Sequence, residues 1–343
     1  MRAPTTFADC TTLRVGGAPR AWVLAETEAQ LIDAVSDCDG RREPVLLVGG
    51  GSNLVVSDAG FPGTAVRVAL RGTGETVRAG TVTLDAMAGE TWDDVVAYAI
   101  GQGWSGIEAL SGIPGLVGAT PVQNVGAYGQ EVSQVITAVR VLDRTSGRVV
   151  TLDAAECGFG YRTSAFKRTP GRWAVLSVTM HLRADRTGPV RYGELAGILG
   201  VGVGGAADIE EVRAAVLMLR RRKGMVLDDA DPDTWSAGSF FTNPVVAADV
   251  AAAMPAECPR YPSADGVKLS AAWLIESAGI SRGFALRPDA AARISTRHTL
   301  ALTNRGSASA ADVMDLAREV QRRVEDVYGL RLEIEPTVVG GDD

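Results

Sequence analysis

A chain of 343 residues, 46% hydrophobic and 22% charged, is long enough for two domains with cores of their own and has an ordinary globular composition. Its formal net charge of −7 argues against nucleic acid as a main partner, because phosphate binding needs a basic face. No apolar run approaches the roughly 18 residues of a membrane span and no apolar stretch marks a signal peptide, so neither a membrane partner nor secretion is expected. Cys10, Cys38, Cys157 and Cys258 lack CxxC spacing and read as reduced thiols of a cytoplasmic protein. His181 and His298 are the only histidines, too few for a typical zinc site, so no metal is expected.

The first third alternates strand and helix signals. Strands are predicted at 21–26 and 44–50 around a helix at 27–38, where Leu31, Ile32 and Val35 recur at helical spacing. Strands follow at 54–58, 64–70, 76–80 and 82–89, then a helix at 91–104 capped by Thr91 with Trp92, Val95, Val96 and Ala99 on one face. Residues 135–153 predict a hairpin turned at Thr145–Gly147, and 173–185 another strand. The glycine-rich stretch 188–208 predicts a mobile loop, followed by a helix at 209–224. A second domain then carries a helix at 270–279, a strand at 299–306, a long amphipathic helix at 309–329 between the caps Ser309 and Gly329, and a closing strand at 331–340.

Two glycine loops carry the strongest chemical signal. In SGIPGLVGATPVQNVGAYGQEV, from Ser111 to Val132, five glycines surround Pro114, Pro121 and the amide pair Gln123 and Asn124. Glycine lets backbone approach a ligand without a Cβ, and proline stiffens the loop. GGGSNL, Gly49–Leu54, follows an apolar run and can present backbone N–H groups to phosphate, with Ser52 and Asn53 adding side-chain donors. A strand rather than a helix follows it, so this is no Rossmann fingerprint. Tight turns explain either loop alone; two of them on one β-rich domain favour a dinucleotide such as FAD.

Other candidates are weaker. Arg162 in YRTSAFK can clamp an anion or remain a surface cation. Ser239 in GSFFTNP sits beside two anchoring aromatics, Phe240 and Phe241. With no GxSxG elbow and no nearby His–Asp pair, a proton-relay role is favoured over acyl transfer, against the ordinary turn serine. Glu333 and Glu335 fall on one face of the last predicted strand, as general acid or as partners of a surface cation. The cationic run Arg220–Lys223 suits a substrate phosphate or simply a solvated helix end.

These motifs, together with TTLRVGGAPR, KLSAAWLIESAG and STRHTLALTNRG, occur in an order that closely resembles the UDP-N-acetylenolpyruvoylglucosamine reductase family over nearly the whole chain. The resemblance implies an α+β fold: a non-Rossmann FAD-binding domain at 1–184, with subdomains 1–70 and 71–184, then a smaller α+β substrate-binding domain at 185–343 whose strand 330–340 returns to the active site. It implies non-covalent FAD reduced by NADPH as co-substrate. Hydride then passes from flavin N5 to the enolpyruvyl ether of UDP-N-acetylglucosamine, and protonation of the resulting enolate gives UDP-N-acetylmuramate for peptidoglycan. Ser239 matches the family's proton donor and Arg162 its enolate stabiliser. Its catalytic glutamate aligns with Glu335, with Glu333 as fallback, because Ile334, Pro336 and Thr337 depart from the family pattern. Cofactor contacts are implied at Gly49, Gly50, Gly51, Ser52, Asn53, Leu54, Ser111, Gly112, Ile113, Pro114, Gly115, Gly118, Ala119, Gln123, Asn124, Gly126, Ala127 and Tyr128. Substrate contacts are implied at Tyr161, Tyr192, Lys223 and Asn243, the tyrosine loop of one subtype being carried by RYGEL. A monomer is expected. A rival reading keeps the flavin fold but makes the protein an oxidase; no His or Cys in either glycine loop offers the covalent flavin link such oxidases often use. A pure binding module predicts no NADPH oxidation with the enolpyruvyl substrate.

Overall fold

The computed structural model describes residues 4–340, so the outermost ends of the expected domains, 1–3 and 341–343, lie outside the described residues. Its described residues fall into two compact units. The first is Pro19–Gly50 with Pro62–Arg222; the second is Pro4–Ala18 and Gly51–Phe61 with the chain from Lys223 onward. The expected division after residue 184 falls inside the first unit.

In the first unit, the strands Pro19–Ala25, Phe61–Val68 and Val45–Val48 form a three-stranded sheet in that order, the last two parallel with Val45 opposite Thr64. The helix Glu28–Gly40 starts at a capping box in which Thr27 accepts from the Gln30 N–H. Next comes a five-stranded antiparallel sheet ordered Arg148–Asp153, Ile136–Asp143, Trp173–Arg183, Thr81–Met87, Thr73–Arg78. Side chains alternate across it, except that a bulge between Val175 and Ser177 shifts the phase within Trp173–Arg183. Val139, Val141, Val178 and Met180 face one core with Trp92, Val95 and Val96 of the helix Trp92–Gly101. Leu142, Ala174 and Leu176 face another with Leu31 and Val35. Each fully buried Leu or Val contributes about 1.5–3 kcal/mol over its exposed state, so these two layers dominate the unit's stability.

Residues 188–208 depart from the expected mobile loop. The strands Thr187–Pro189 and Ala206–Asp208 pair antiparallel around a helix, Gly193–Leu199, that ends on Gly200 in the left-handed region. Leu195 and Ala196 are buried against Val212, Val216 and Leu219 of the helix Ile209–Arg222. Tertiary burial overrides the poor helix propensity of Gly193 and Gly197.

In the second unit, Leu54–Val56 pairs parallel with Thr337–Val339, and the Asp58 carboxylate accepts from the Ala310 and Ala311 N–H groups at 2.8 and 3.0 Å. A carboxylate there satisfies open amides and complements the positive helix end. That helix, Ala310–Tyr328, has the expected caps: a capping box at Ser309 and left-handed Gly329. It buries Val313, Leu316, Ala317, Val320 and Val324 against Leu274 and Ile275 of the helix Ala271–Ser277 and the hairpin Ala292–Ile294 with Leu302–Asn304. A short helix, Ala248–Ala253, and the strand pair Arg260–Ser263 with Gly266–Leu269 were not foreseen. The last predicted strand is confined to Thr337–Val339; Ile334 makes only an isolated bridge, to Phe241.

Candidate active site

In the first unit the two glycine loops meet. A Cβ on Gly50 would lie 2.9 Å from the Gly115 Cα, and one on Gly49 3.6 Å from Leu116. Gly115, at φ +117°, occupies backbone space that L side chains rarely adopt. At Gly50 there is no room for a side chain, so the two loops pack there backbone against backbone. The loop is held from behind. Gly115 O accepts from the Trp92 N–H at 3.0 Å, and the Val117 and Gly118 N–H groups donate to Glu90 O and Ala88 O at 2.9 Å each. Ser111 is buried, its hydroxyl donating to Glu108 O at 2.7 Å. Pro114 and Ala119 are exposed, whereas Ile113, Gln123, Ala127 and Leu116 are half-buried.

Asp93 fixes the start of this loop. Its Oδ1 accepts from the Gly112 N–H and from Arg213 Nη1, each at 2.6 Å, while Oδ2 accepts from Nη2 at 2.8 Å. Burial opposes its ionisation, but the Arg213 fork and the Gly112 N–H outweigh it and hold the carboxyl below its ordinary range. A depressed aspartate pKa gives stability that is present above the unfolded value and is lost as pH falls through the folded one. Asp93→Asn is therefore expected to lower thermal stability at neutral pH and to converge with the parent as pH drops below about 4. Melting curves across that range check it, and a constant gap down to acid pH would refute the ionic role.

Side chains lace this loop to YRTSAFK. Arg162 Nη2 donates to Gly126 O at 2.9 Å, Asn124 Nδ2 to Gly160 O at 3.0 Å, and Ser164 Oγ to Val122 O at 2.5 Å. Gly160 and Thr163 bond reciprocally, leaving Tyr161 and Arg162 at the tip of a turn with Arg162 at φ +52°. A non-glycine residue there costs about 1–2 kcal/mol, strain that the surrounding bonds must hold. Asn124, at φ +46°, is buried; its amide also donates to Glu131 and its carbonyl accepts from the Ser133 N–H at 3.1 Å. That side chain is occupied by protein, so any ligand contact from Asn124 runs through its backbone. Asn124→Ala is expected to cost about 1–3 kcal/mol by leaving buried groups unbonded. Denaturant unfolding measures it, and a loss under half a kcal/mol would show that the lacing is dispensable.

Tyr128, at φ +50°, packs edge-on against Tyr192 with ring centroids 5.4 Å apart. Burial pushes the Tyr128 hydroxyl up to about 12, so it stays neutral. Tyr192 itself is exposed at the start of the helix Gly193–Leu199. The Arg220–Lys223 run does not behave as one solvated cluster. Arg221 and Arg222 are exposed, but Arg220 is buried with its charge opposite Tyr128 and Asp93, and a Cβ on Gly112 would lie 3.3 Å from its Nε. Asp93 and Arg213 were missed in the sequence, where an acidic first helical turn was the only local signal for Asp93; Arg220 was seen there only as part of the cationic run.

The second unit places Ser239 beside Glu335 through backbone. Phe240 N donates to Leu300 O at 2.7 Å, and Phe240 O accepts from the Glu335 N–H at 2.9 Å. Thr242 N donates to Glu333 O at 3.0 Å around the Phe241–Ile334 bridge. Phe240 and Phe241 are fully buried, the anchors expected from the sequence. Ser239 and Glu335 are half-buried, while Glu333 is exposed. Asn53 is tied here too: its Nδ2 donates to Glu335 O at 3.4 Å and its O accepts from Thr337 N at 3.0 Å. Gly51 and Ser52 are half-buried and Leu54 is buried in the same unit. Asn243 Oδ1 accepts from Ala271 N at 2.9 Å, so part of that side chain is a helix support; Lys223 is half-buried. A histidine unforeseen as a neighbour, His298, lies with Nε2 3.5 Å from Ser239 Oγ. Among the described residues no cluster of His, Cys, Asp and Glu could hold a metal, and no helix is long and apolar enough to cross a membrane.

Comparison with known proteins gives two family matches: the FAD binding domain over residues 19–153, and the UDP-N-acetylenolpyruvoylglucosamine reductase C-terminal domain over residues 231–339. The UDP-N-acetylenolpyruvoylglucosamine reductase of Cutibacterium acnes is 52% identical over 97% of this chain and 89% of its own length. That of Mycobacterium marinum is 50% identical over 97% and 94%. The crystal structure of the Thermus caldophilus reductase superposes with a TM-score of 0.66 at 27% identity, covering 97% of each chain.

Proposed function

The chain belongs to the UDP-N-acetylenolpyruvoylglucosamine reductase family, and on that premise we propose that it holds FAD and binds the UDP-sugar. It is an oxidoreductase that reduces the enolpyruvyl ether of a UDP-sugar, a step of peptidoglycan precursor synthesis. The observation that carries the cofactor reading is the close approach of Gly50 to Gly115, which a Cβ at position 50 would block and which brings the two glycine loops together backbone to backbone. Gly49, Gly50, Ser111–Gly115, Gly118, Ala119, Gln123, Asn124 and Gly126–Tyr128 would hold FAD; for Gly51, Ser52, Asn53 and Leu54 a cofactor contact is proposed from the family resemblance alone. Bound there, FAD would supply hydride to the substrate methylene carbon.

The chain's own residues supply the rest. Arg162 offers a planar cation whose position is set by Gly126 O, and it stabilises negative charge spreading onto the substrate carboxylate. Ser239 Oγ gives its proton to the carbon next to that carboxylate. Glu335, supported through its backbone by Phe240, is the acidic partner in preference to exposed Glu333. Tyr161, Tyr192, Lys223 and Asn243 bind the nucleotide-sugar, with Lys223 opposite the diphosphate. NADPH is the reductant, and the enzyme acts as a cytoplasmic monomer. The test is an anaerobic visible spectrum through two additions. Bleaching by NADPH followed by recolouring only with the enolpyruvyl substrate supports the reading. Recolouring only on admitting air points instead to an oxidase, and no flavin binding at all overturns the cofactor site.

A further inference from the structure

We propose that His298 is the positioning residue for Ser239, acting through its hydroxyl during protonation of the substrate; this rests on the reading of Ser239 as proton donor. A serine hydroxyl is a weak acid, and as its proton leaves, charge builds on Oγ. A ring N–H aimed at that oxygen fixes the hydroxyl rotamer and supports the charge. His298 Nε2 is 3.5 Å from Oγ, a separation that tightens as the oxygen becomes more basic.

The surroundings of His298 are built to hold it there. Buried Ser295 accepts at its Oγ from the Arg297 and His298 N–H groups at 3.0 and 3.2 Å. The turn is closed by Ala301 N donating to His298 O at 3.0 Å and Ser295 N to Ala301 O at 2.8 Å. It is also pinned outward, through Thr296 to Asp233 and Thr299 to Glu276. The residue after Ser239 is stitched to the same turn, Phe240 N donating to Leu300 O at 2.7 Å. Two backbone segments 59 residues apart are thus joined within two residues of each interacting side chain, so the Ser239–His298 separation is set by the fold rather than by chance side-chain encounter.

The proton balance is simple. One proton leaves Ser239 Oγ for the substrate carbon, the Nε2–H bond to Oγ strengthens without breaking, and Oγ recovers a proton from water before the next turnover. With Nε2 carrying the proton, His298 works as a neutral donor and its own charge state does not change.

The test compares His298→Phe, His298→Gln, Ser239→Ala and the Ser239→Ala/His298→Phe double variant as FAD-loaded proteins. Each half-reaction is followed by stopped-flow absorbance. Flavin reduction by NADPH is expected to stay within about threefold in all four. Flavin reoxidation by the enolpyruvyl substrate is expected to fall about tenfold to a hundredfold in His298→Phe. His298→Gln, whose amide donates from a similar reach, should regain at least half of that loss on a logarithmic scale. The double variant should be no slower than Ser239→Ala alone, because the histidine acts through the serine. The imidazole nitrogen spectrum gives a readout apart from turnover: with only His181 and His298 present, the His298 Nε2 resonance should move in Ser239→Ala while that of exposed His181 stays. Additive losses in the double variant, or an unmoved His298 resonance, overturn the inference alone. If Ser239→Ala itself keeps its reoxidation rate, the proton-donor reading falls and the inference falls with it.

Discussion

Ser239→Ala is expected to lower flavin reoxidation by the enolpyruvyl substrate by about 10²–10⁴-fold, the range typical for loss of a positioned acid. Flavin content and reduction by NADPH should be preserved, because the substitution removes one oxygen from a half-buried position and leaves every backbone bond of the Phe240 anchor in place. Both Phe240 and Phe241 remain fully buried, so the fold has little reason to change. The split between half-reactions is the diagnostic. A collapse of flavin reduction with unchanged reoxidation would assign Ser239 to the wrong half of the cycle.

Arg162→Lys is expected to lower the same reoxidation step by about 10²–10³-fold, as removal of a preorganised charge donor does elsewhere. Lysine keeps the charge but not the fork. Arg162 now places one arm on Gly126 O and projects from a turn held at φ +52°, and an ammonium on a flexible stem reproduces neither the planar geometry nor that tether. Substrate affinity is expected to weaken less than the chemical step, since the charge that Arg162 meets grows largest as hydride arrives. Single-turnover rates at saturating substrate separate the two. A variant with unchanged single-turnover rate and only a raised KM would reduce Arg162 to a binding residue.

The periodic parts of this protein were legible in its sequence. The helix Ala310–Tyr328 carries apolar residues at helical spacing between a capping-box serine and a glycine that can adopt the left-handed conformation, and it forms between those caps. The hairpin Ile136–Asp143 with Arg148–Asp153 follows from alternation around a polar turn. The glycine loops and the aromatic anchors at Phe240 and Phe241 were visible as composition, and the ordered motifs together identified the family. All of this information is local, or is a fixed order of local segments, which is what a chain displays when read along its length.

Tertiary structure alone decided the rest. Residues 188–208 look like a loop because glycine is a poor helix former, yet burial of Leu195 and Ala196 against the helix Ile209–Arg222 outweighs that preference. Asn124 looks like a ligand-facing amide, but its side chain is occupied in tying Gly160, Glu131 and Ser133 together. Asp93 and Arg213 stand 120 residues apart and meet only because two helices flank one glycine turn. His298 reaches Ser239 across 59 residues because backbone bonds stitch their two segments side by side. The sequence by itself determined which segments carry the chemistry, through propensity and pattern; which side chains act together was left to long-range backbone pairing and burial, whose energies arise only once distant segments are packed.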